Sequence, residues 1–249
     1  MVSDAILDKV RKLLAKAEDP ACTPAEAEAF TAKAAELIAK YGVDSALLAA
    51  ADPTVDPVGD LVIEVLAPYA LDKCTLLAGV AEALRCRSVR RQGWEQRGWY
   101  ERRKTFSMHL FGHETDLRRT EVLFTSLLVQ ASYALVAATV PDWENVAAYR
   151  RSWFAGYTFA IVARLRDAEE RAANAADVQM TGRSVAVVLA DRSAEVAQRV
   201  AEAYPRIRLA EPRRLAGSGM EHGYEAGRRA DIGTPRVRSR GGPAAIGST

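Results

Sequence analysis

Apolar positions in residues 3–17 recur as Ile6, Val10, Leu13, Leu14 and Ala17, a spacing of i, i+4, i+7, i+8 and i+11 that lays one stripe along a helix. After the break at Asp19-Pro20, the run Thr23-Pro24-Ala25-Glu26 supplies a capping hydroxyl, a proline at the first helical position and a glutamate three residues after the cap. The helix predicted from there carries Ala27, Phe30, Ala34, Leu37, Ile38 and Tyr41 on one side. Gly42 is expected to end it in the left-handed conformation, and Asp44 to cap a short third helix through Ala51. The pattern therefore predicts an αα-hairpin module over 1–51 and a linker over 52–59, marked by Pro53 and Pro57.

Beyond residue 60 the pattern alternates between periods. Leu61 to Leu66 reads as a short strand, and Leu71, Cys74, Leu77, Ala78, Ala81 and Leu84 as a helix. Cys86 to Arg91 and Thr105 to Gly112 read as strands of a hairpin whose long tip is 92–104. Thr115 or Asp116 is placed to cap an apolar helix reaching about Thr139. A second long helix, from Glu144 to about Ala173, carries Val146, Tyr149, Trp153, Tyr157, Ile161 and Leu165 at steps of three and four. These two helices are expected to form the main core. Ser184 to Ala190 predicts a buried strand, Asp191 to Ala203 a helix, Ile207 to Leu209 a further strand and Gly217 to Ala230 a last helix. The fold class expected is α+β and helix-dominated, with a small sheet flanked by long helices in a companion domain over 60–233. Residues 234–249, basic and rich in Gly and Pro, are expected to be a disordered tail.

The segment ILDKVRKLLAKAED followed by TPAEAEAFTAKAAELIAKYGVD resembles, over about residues 3–45, the bacterial and phage family known as domain of unknown function 2786. GVAEALRCRSV, FGHETD and SWFAGY look like the uncharacterised companion region that usually follows. The resemblance implies an actinobacterial or phage setting and carries no established activity, so it brings no catalytic residues.

Charge changes the picture only when taken by segment. The whole chain of 249 residues has a net charge of +2, which excludes a global field for nucleic acid or membrane. Residues 1–84 hold 7 basic and 14 acidic side chains, whereas 85–249 hold 27 and 18. Cys22, Cys74 and Cys86 fit neither a disulfide scaffold nor CxxC metal pairs and read as buried thiols. With a charged start and no apolar run of membrane length, the expectation is a cytoplasmic protein without membrane contact.

The densest charge lies in the predicted hairpin. Between 85 and 104, Arg85, Arg87, Arg90, Arg91, Arg97, Arg102, Arg103 and Lys104 stand against Glu95 and Glu101, with Trp94, Trp99 and Tyr100 among them. Cations attract phosphate, aromatic faces stack on unpaired bases, and a β-ribbon can enter a groove. Arg87, Arg90, Arg91, Trp94, Arg97, Trp99, Tyr100, Arg102, Arg103 and Lys104 are therefore the candidate nucleic-acid contacts. The leading reading is a non-enzymatic protein associated with single-stranded or flexible nucleic acid, with the tail adding affinity. The alternative is a structural or interaction module, docking a protein partner or a second copy through the acidic helical hairpin. A metal-dependent hydrolase around His113, Glu114 and Asp116 is a third, because His109 and His113 are four apart. Strand geometry argues against it, since it would place His113 in a turn, and no metal or cofactor is expected. Glycines 217, 219, 223, 227 and 233 match neither a Walker A loop nor GxGxxG and point to close helix packing.

Overall fold

The computed structural model describes residues 24–97, 101–178, 184–208, 210, 213–230 and 232, with helical positions 9, 10, 12, 13 and 16 before them. In chain order these form α1 (Pro24–Ala51), a 3-10 turn (Pro53–Val55), β1 (Val58–Val65), α2 (Ala70–Ala83), β2 (Arg87–Arg97) and β3 (Glu101–His113). Four helices follow: α3 (Glu114–Ala137), α4 (Val146–Asp177), α5 (Val185–Ala203) and α6 (Met220–Arg229). The result is a helix-dominated α+β fold. Most of the stripe predicted over 3–17, Cys22, Thr23, Trp99, Tyr100 and the tail lie outside the described residues.

The sheet is antiparallel in the order β1-β3-β2, with β3 central. Side chains alternate across it, so its register sorts residues onto two faces. One face presents Leu61, Ile63, Val65, Met108 and Leu110 to a core shared with Leu76, Leu77 and Val80 of α2, Leu123 and Leu127 of α3, and Trp153, Tyr157 and Ile161 of α4. The same core takes in Val10, Ala34 and Ile38 from the N-terminal helices. The other face carries Val89 and Phe111, which pack with Val196 of α5. Among the described residues α3 is the one helix long and apolar enough to cross a membrane, and Leu123, Phe124, Leu127, Ala131 and Leu135 turn one side of it into the protein.

Several elements differ from expectation for physical reasons. Gly42 does not end its helix: α1 continues to Ala51, so Asp44 caps nothing. A Cβ at Gly42 would sit 1.9 Å from Nη1 of Arg119, and glycine is there to let the helix approach that guanidinium. Arg119 is fully buried and pairs with Asp116 (2.6 Å) and with Glu169. Burial opposes its charge, but Glu169 and Asp116 outweigh this and hold its pKa above the usual arginine value. Arg85, with φ of 65°, adds a bond to Glu169 (2.6 Å) and lies 3.6 Å from Asp116, while Arg192 of α5 pairs with Asp56 (2.6 Å). Three arginines and three carboxylates thus form one buried network.

Asp56, in the segment expected as a linker, is 2% exposed. Its Oδ1 accepts from the Thr115 amide (2.9 Å), so the start of α3 is capped from a distance rather than by the Thr115 or Asp116 side chain. The valine-rich run predicted as a strand at 184–190 is the first half of α5. Ser184 accepts a hydrogen bond from the Ala186 amide, and Val185, Val188, Arg192 and Val196 form one buried helical stripe. Residues 207 and 208 are not in a strand either. The glycine-rich 217–230 segment does pack closely: a Cβ at Gly156 would lie 1.9 Å from the Met220 carbonyl oxygen, and one at Gly223 1.9 Å from that of Trp153. Here α4 and α6 meet backbone to backbone.

Candidate nucleic-acid interface

β2 and β3 continue well beyond β1. The last pair between β1 and β3 is Val65 with Phe106, whereas β2 and β3 stay paired from Arg87 with Phe111 out to Arg97 with Glu101. The residues expected as a long hairpin tip, 92–104, are therefore mostly ladder. Five cross-strand pairs, from Gly93 with Thr105 outward, form a free two-stranded ribbon. At roughly 3.4 Å per pair it extends about 17 Å from the body. Polar residues on both sides explain why no apolar alternation marked this extension: neither face has a core to bury against.

The register assigns each candidate to a face. Arg90, Trp94, Arg102 and Lys104 continue the core-facing side of the sheet, and Arg87, Arg91 and Arg103 the side that α5 covers. Arg87, Arg90, Arg91, Arg102, Arg103 and Lys104 are exposed, and Trp94 is 59% exposed with the Lys104 ammonium 5.3 Å from its ring centroid. Arg97 is in β2, and Trp99 and Tyr100 lie outside the described residues. The cations thus occupy two sides of a narrow ribbon instead of one flat surface. Arg85 does not belong with them, because it is held in the buried network by Glu169.

Where the ribbon leaves the body, a cleft of about 1000 Å³ opens between it, the β1–α2 loop and α4. Arg91 of β2 and Arg103 and Lys104 of the ribbon line it, joined by Arg151 of α4 and by Arg213. Arg213 Nη1 donates to Asp72 (2.8 Å); burial pushes the Asp72 carboxyl pKa up, opposed by Arg213 and Arg151. Arg151 and Arg213 were missed in the sequence, where nothing in their local pattern connects them to the hairpin.

The histidines have other partners. His109 lies between Tyr204 (2.8 Å) and Asp60 (2.9 Å), His222 bonds the Tyr149 hydroxyl (3.0 Å), and His113 ends β3 directly at the start of α3 rather than in a turn. Among the described residues no cluster of three or more His, Cys, Asp or Glu side chains is placed to hold a metal ion. Asp116 is engaged by Arg119. Burial raises the thiol pKa of Cys74 to about 11 and of Cys86 to about 12, so both remain protonated thiols at neutral pH.

Residues 5–45 match the family described as Protein of unknown function (DUF2786). The N-terminal segment is similar to DUF2786. It ends inside α1, three residues past the Gly42 contact with Arg119, so the DUF2786 match includes the helix surface that meets the buried network. The ribbon, its cleft and α3 to α6 lie beyond the DUF2786 match. No curated protein and no solved structure matches this chain.

Proposed function

We propose that this protein binds nucleic acid through the β2–β3 ribbon, engaging single-stranded or flexible strands in preference to a particular duplex sequence. The observation that carries the reading is the β2–β3 hairpin, with Arg102, Arg103, Lys104 and a half-exposed Trp94 on its free ribbon and Arg87, Arg90 and Arg91 exposed on β2 just before it. Cations on both faces suit a flexible strand that wraps the ribbon, because phosphates can then be met from two sides. Trp94 leaves one ring face for a base while Lys104 occupies the other. The cleft at the root, with Arg151 and Arg213, extends the positive path onto the body. Such a protein acts without catalysis, in the cytoplasm, where nucleic acid is at hand.

The test is fluorescence anisotropy with a labelled oligothymidylate and a duplex of equal length, titrated at several salt concentrations. Each phosphate contact on a single strand contributes about 0.7 to the log–log salt slope, so Arg90→Ala with Arg91→Ala should flatten it by about 1.4. Trp94→Ala should weaken binding by about 1–3 kcal/mol and leave the slope nearly unchanged. Absence of binding at low salt, or equal affinity of wild type and the double arginine variant, would refute the proposal.

A further inference from the structure

The cleft at the root of the ribbon, about 1000 Å³, stands at the upper end of the size of ligand pockets, roughly 300–1,000 Å³. The charges that line it divide by sheet face. On the side that α5 covers, Arg103 is paired directly opposite Glu95, and Arg91 and Glu64 stand on either side of Ser107. Two cations are matched there by two carboxylates. On the core-facing side, Lys104 of the ribbon, Arg151 of α4 and Arg213 share a single carboxylate, Asp72. That bank of the cleft holds an excess of two positive charges.

Asp72 organises the bank. It is 5% exposed and accepts from Arg213 Nη1 at 2.8 Å, which fixes one edge of that guanidinium while 32% of the Arg213 side chain stays accessible. Arg151, an exposed residue, acts on the same carboxylate and opposes the rise that burial gives its pKa. One buried carboxylate thus draws together two accessible guanidiniums that are remote in the chain, with Lys104 on the ribbon side of the same cleft. Tyr69 and Phe106, both partly buried in the wall, add apolar surface beside them.

We propose that this bank of the cleft seats the terminal phosphate of a nucleic-acid strand, with the terminal nucleoside against Tyr69 and Phe106 and the rest of the strand running out along the ribbon. The identity of the strand rests on the nucleic-acid reading of the ribbon. A terminal phosphate carries a charge of about −1.5 to −2 at neutral pH and three acceptor oxygens, which matches the excess charge and suits planar guanidinium donors. A phosphodiester within a strand carries one charge and needs two exits for its chain. The ribbon, the β1–α2 loop and α4 bound the cleft, so it suits the end of a strand better than its middle.

Fluorescence anisotropy compares internally labelled oligothymidylates carrying a 5′-phosphate, a 3′-phosphate or hydroxyls at both ends. One phosphorylated strand is expected to bind about tenfold tighter than the unphosphorylated strand, the gain of a charge-assisted hydrogen bond. Arg151 is exposed, so Arg151→Ala folds normally and should bring that ratio to about one. Arg102→Ala, on the ribbon and outside the cleft, should weaken both strands and keep the ratio. Equal affinities with and without a terminal phosphate, or a ratio that survives Arg151→Ala, overturn the proposal while the ribbon reading stands. If no strand binds, the ribbon reading falls and calorimetry with thymidine 5′-monophosphate decides the cleft alone. Saturable binding that thymidine does not show and Arg151→Ala removes supports the phosphate seat; no binding overturns it.

Discussion

Replacing Gly42 by alanine tests the buried network at its tightest point. The new Cβ would lie 1.9 Å from Nη1, 2.3 Å from Cζ and 2.9 Å from Nη2 of Arg119. Ordinary contact begins near 3.4 Å, so the guanidinium must retreat by about 1.5 Å. A flexible surface arginine would simply turn away, but Arg119 is fully buried and clamped between Asp116 and Glu169. A retreat of that size breaks at least one of these bonds, and breaking a buried ion pair costs about 3–5 kcal/mol. Alanine recovers about 1 kcal/mol of helix propensity over glycine, leaving a net loss of about 2–4 kcal/mol. In a chain of this length that corresponds to a melting temperature lower by on the order of 10 °C.

Urea unfolding followed by far-UV circular dichroism measures the loss, and a double-mutant cycle with Arg119→Met apportions it. With the guanidinium gone, Gly42→Ala should no longer destabilise, giving a coupling of at least about 2 kcal/mol. A glycine that merely ended a helix would cost about 1 kcal/mol on substitution and show no coupling to Arg119. A variant that melts at or above wild type would refute the close approach altogether.

Two further outcomes follow from the same structure. Asn145 caps α4 by accepting from the Ala147 and Ala148 amides at 3.0 and 3.1 Å, so Asn145→Ala should lower stability by about 1 kcal/mol in the same unfolding experiment; an unchanged midpoint would argue against the cap. Cys74 and Cys86, 3% and 2% exposed with thiol pKa values near 11 and 12, should resist iodoacetamide at pH 8 in the folded protein and react once urea is added, as read by peptide mass spectrometry. Labelling of Cys86 under native conditions would contradict its burial.

What the sequence revealed depended on how local the deciding interactions were. α2, α3 and α4 lie within a few residues of their predicted ranges because each buries a stripe that repeats at helical spacing. The valine run of α5 misled because β-branched composition is a local preference, whereas its state is decided by packing on the outer face of the sheet through Val196 and by the Ser184 cap. Gly42 misled for the opposite reason, since its partner Arg119 is remote in the chain. The cationic cluster was legible as composition, but Arg85 is indistinguishable from Arg87 until the chain places one against Glu169 and leaves the other in solvent. Arg151, Arg213 and the pairing of Asp56 with Arg192 leave no local trace.

That last pairing has a consequence for the order in which the protein can fold. Asp56 and Arg192 are 136 residues apart, and Arg85 and Glu169 are 84 apart. During synthesis, α1, the sheet and α3 emerge before Arg192 exists to neutralise Asp56, and Arg85 and Arg119 share Asp116 alone before Glu169 exists, which leaves Asp56 and one guanidinium without a partner. Burying those charges unpaired is far costlier than leaving them hydrated, so the early segments are held open at that junction. Closing the junction then requires long-range contacts whose loop entropy is met late, which favours slow, concerted completion over stepwise docking. Nascent chains stalled before residue 192 should accordingly be protease-sensitive at the 52–57 turn, even where the sheet has formed.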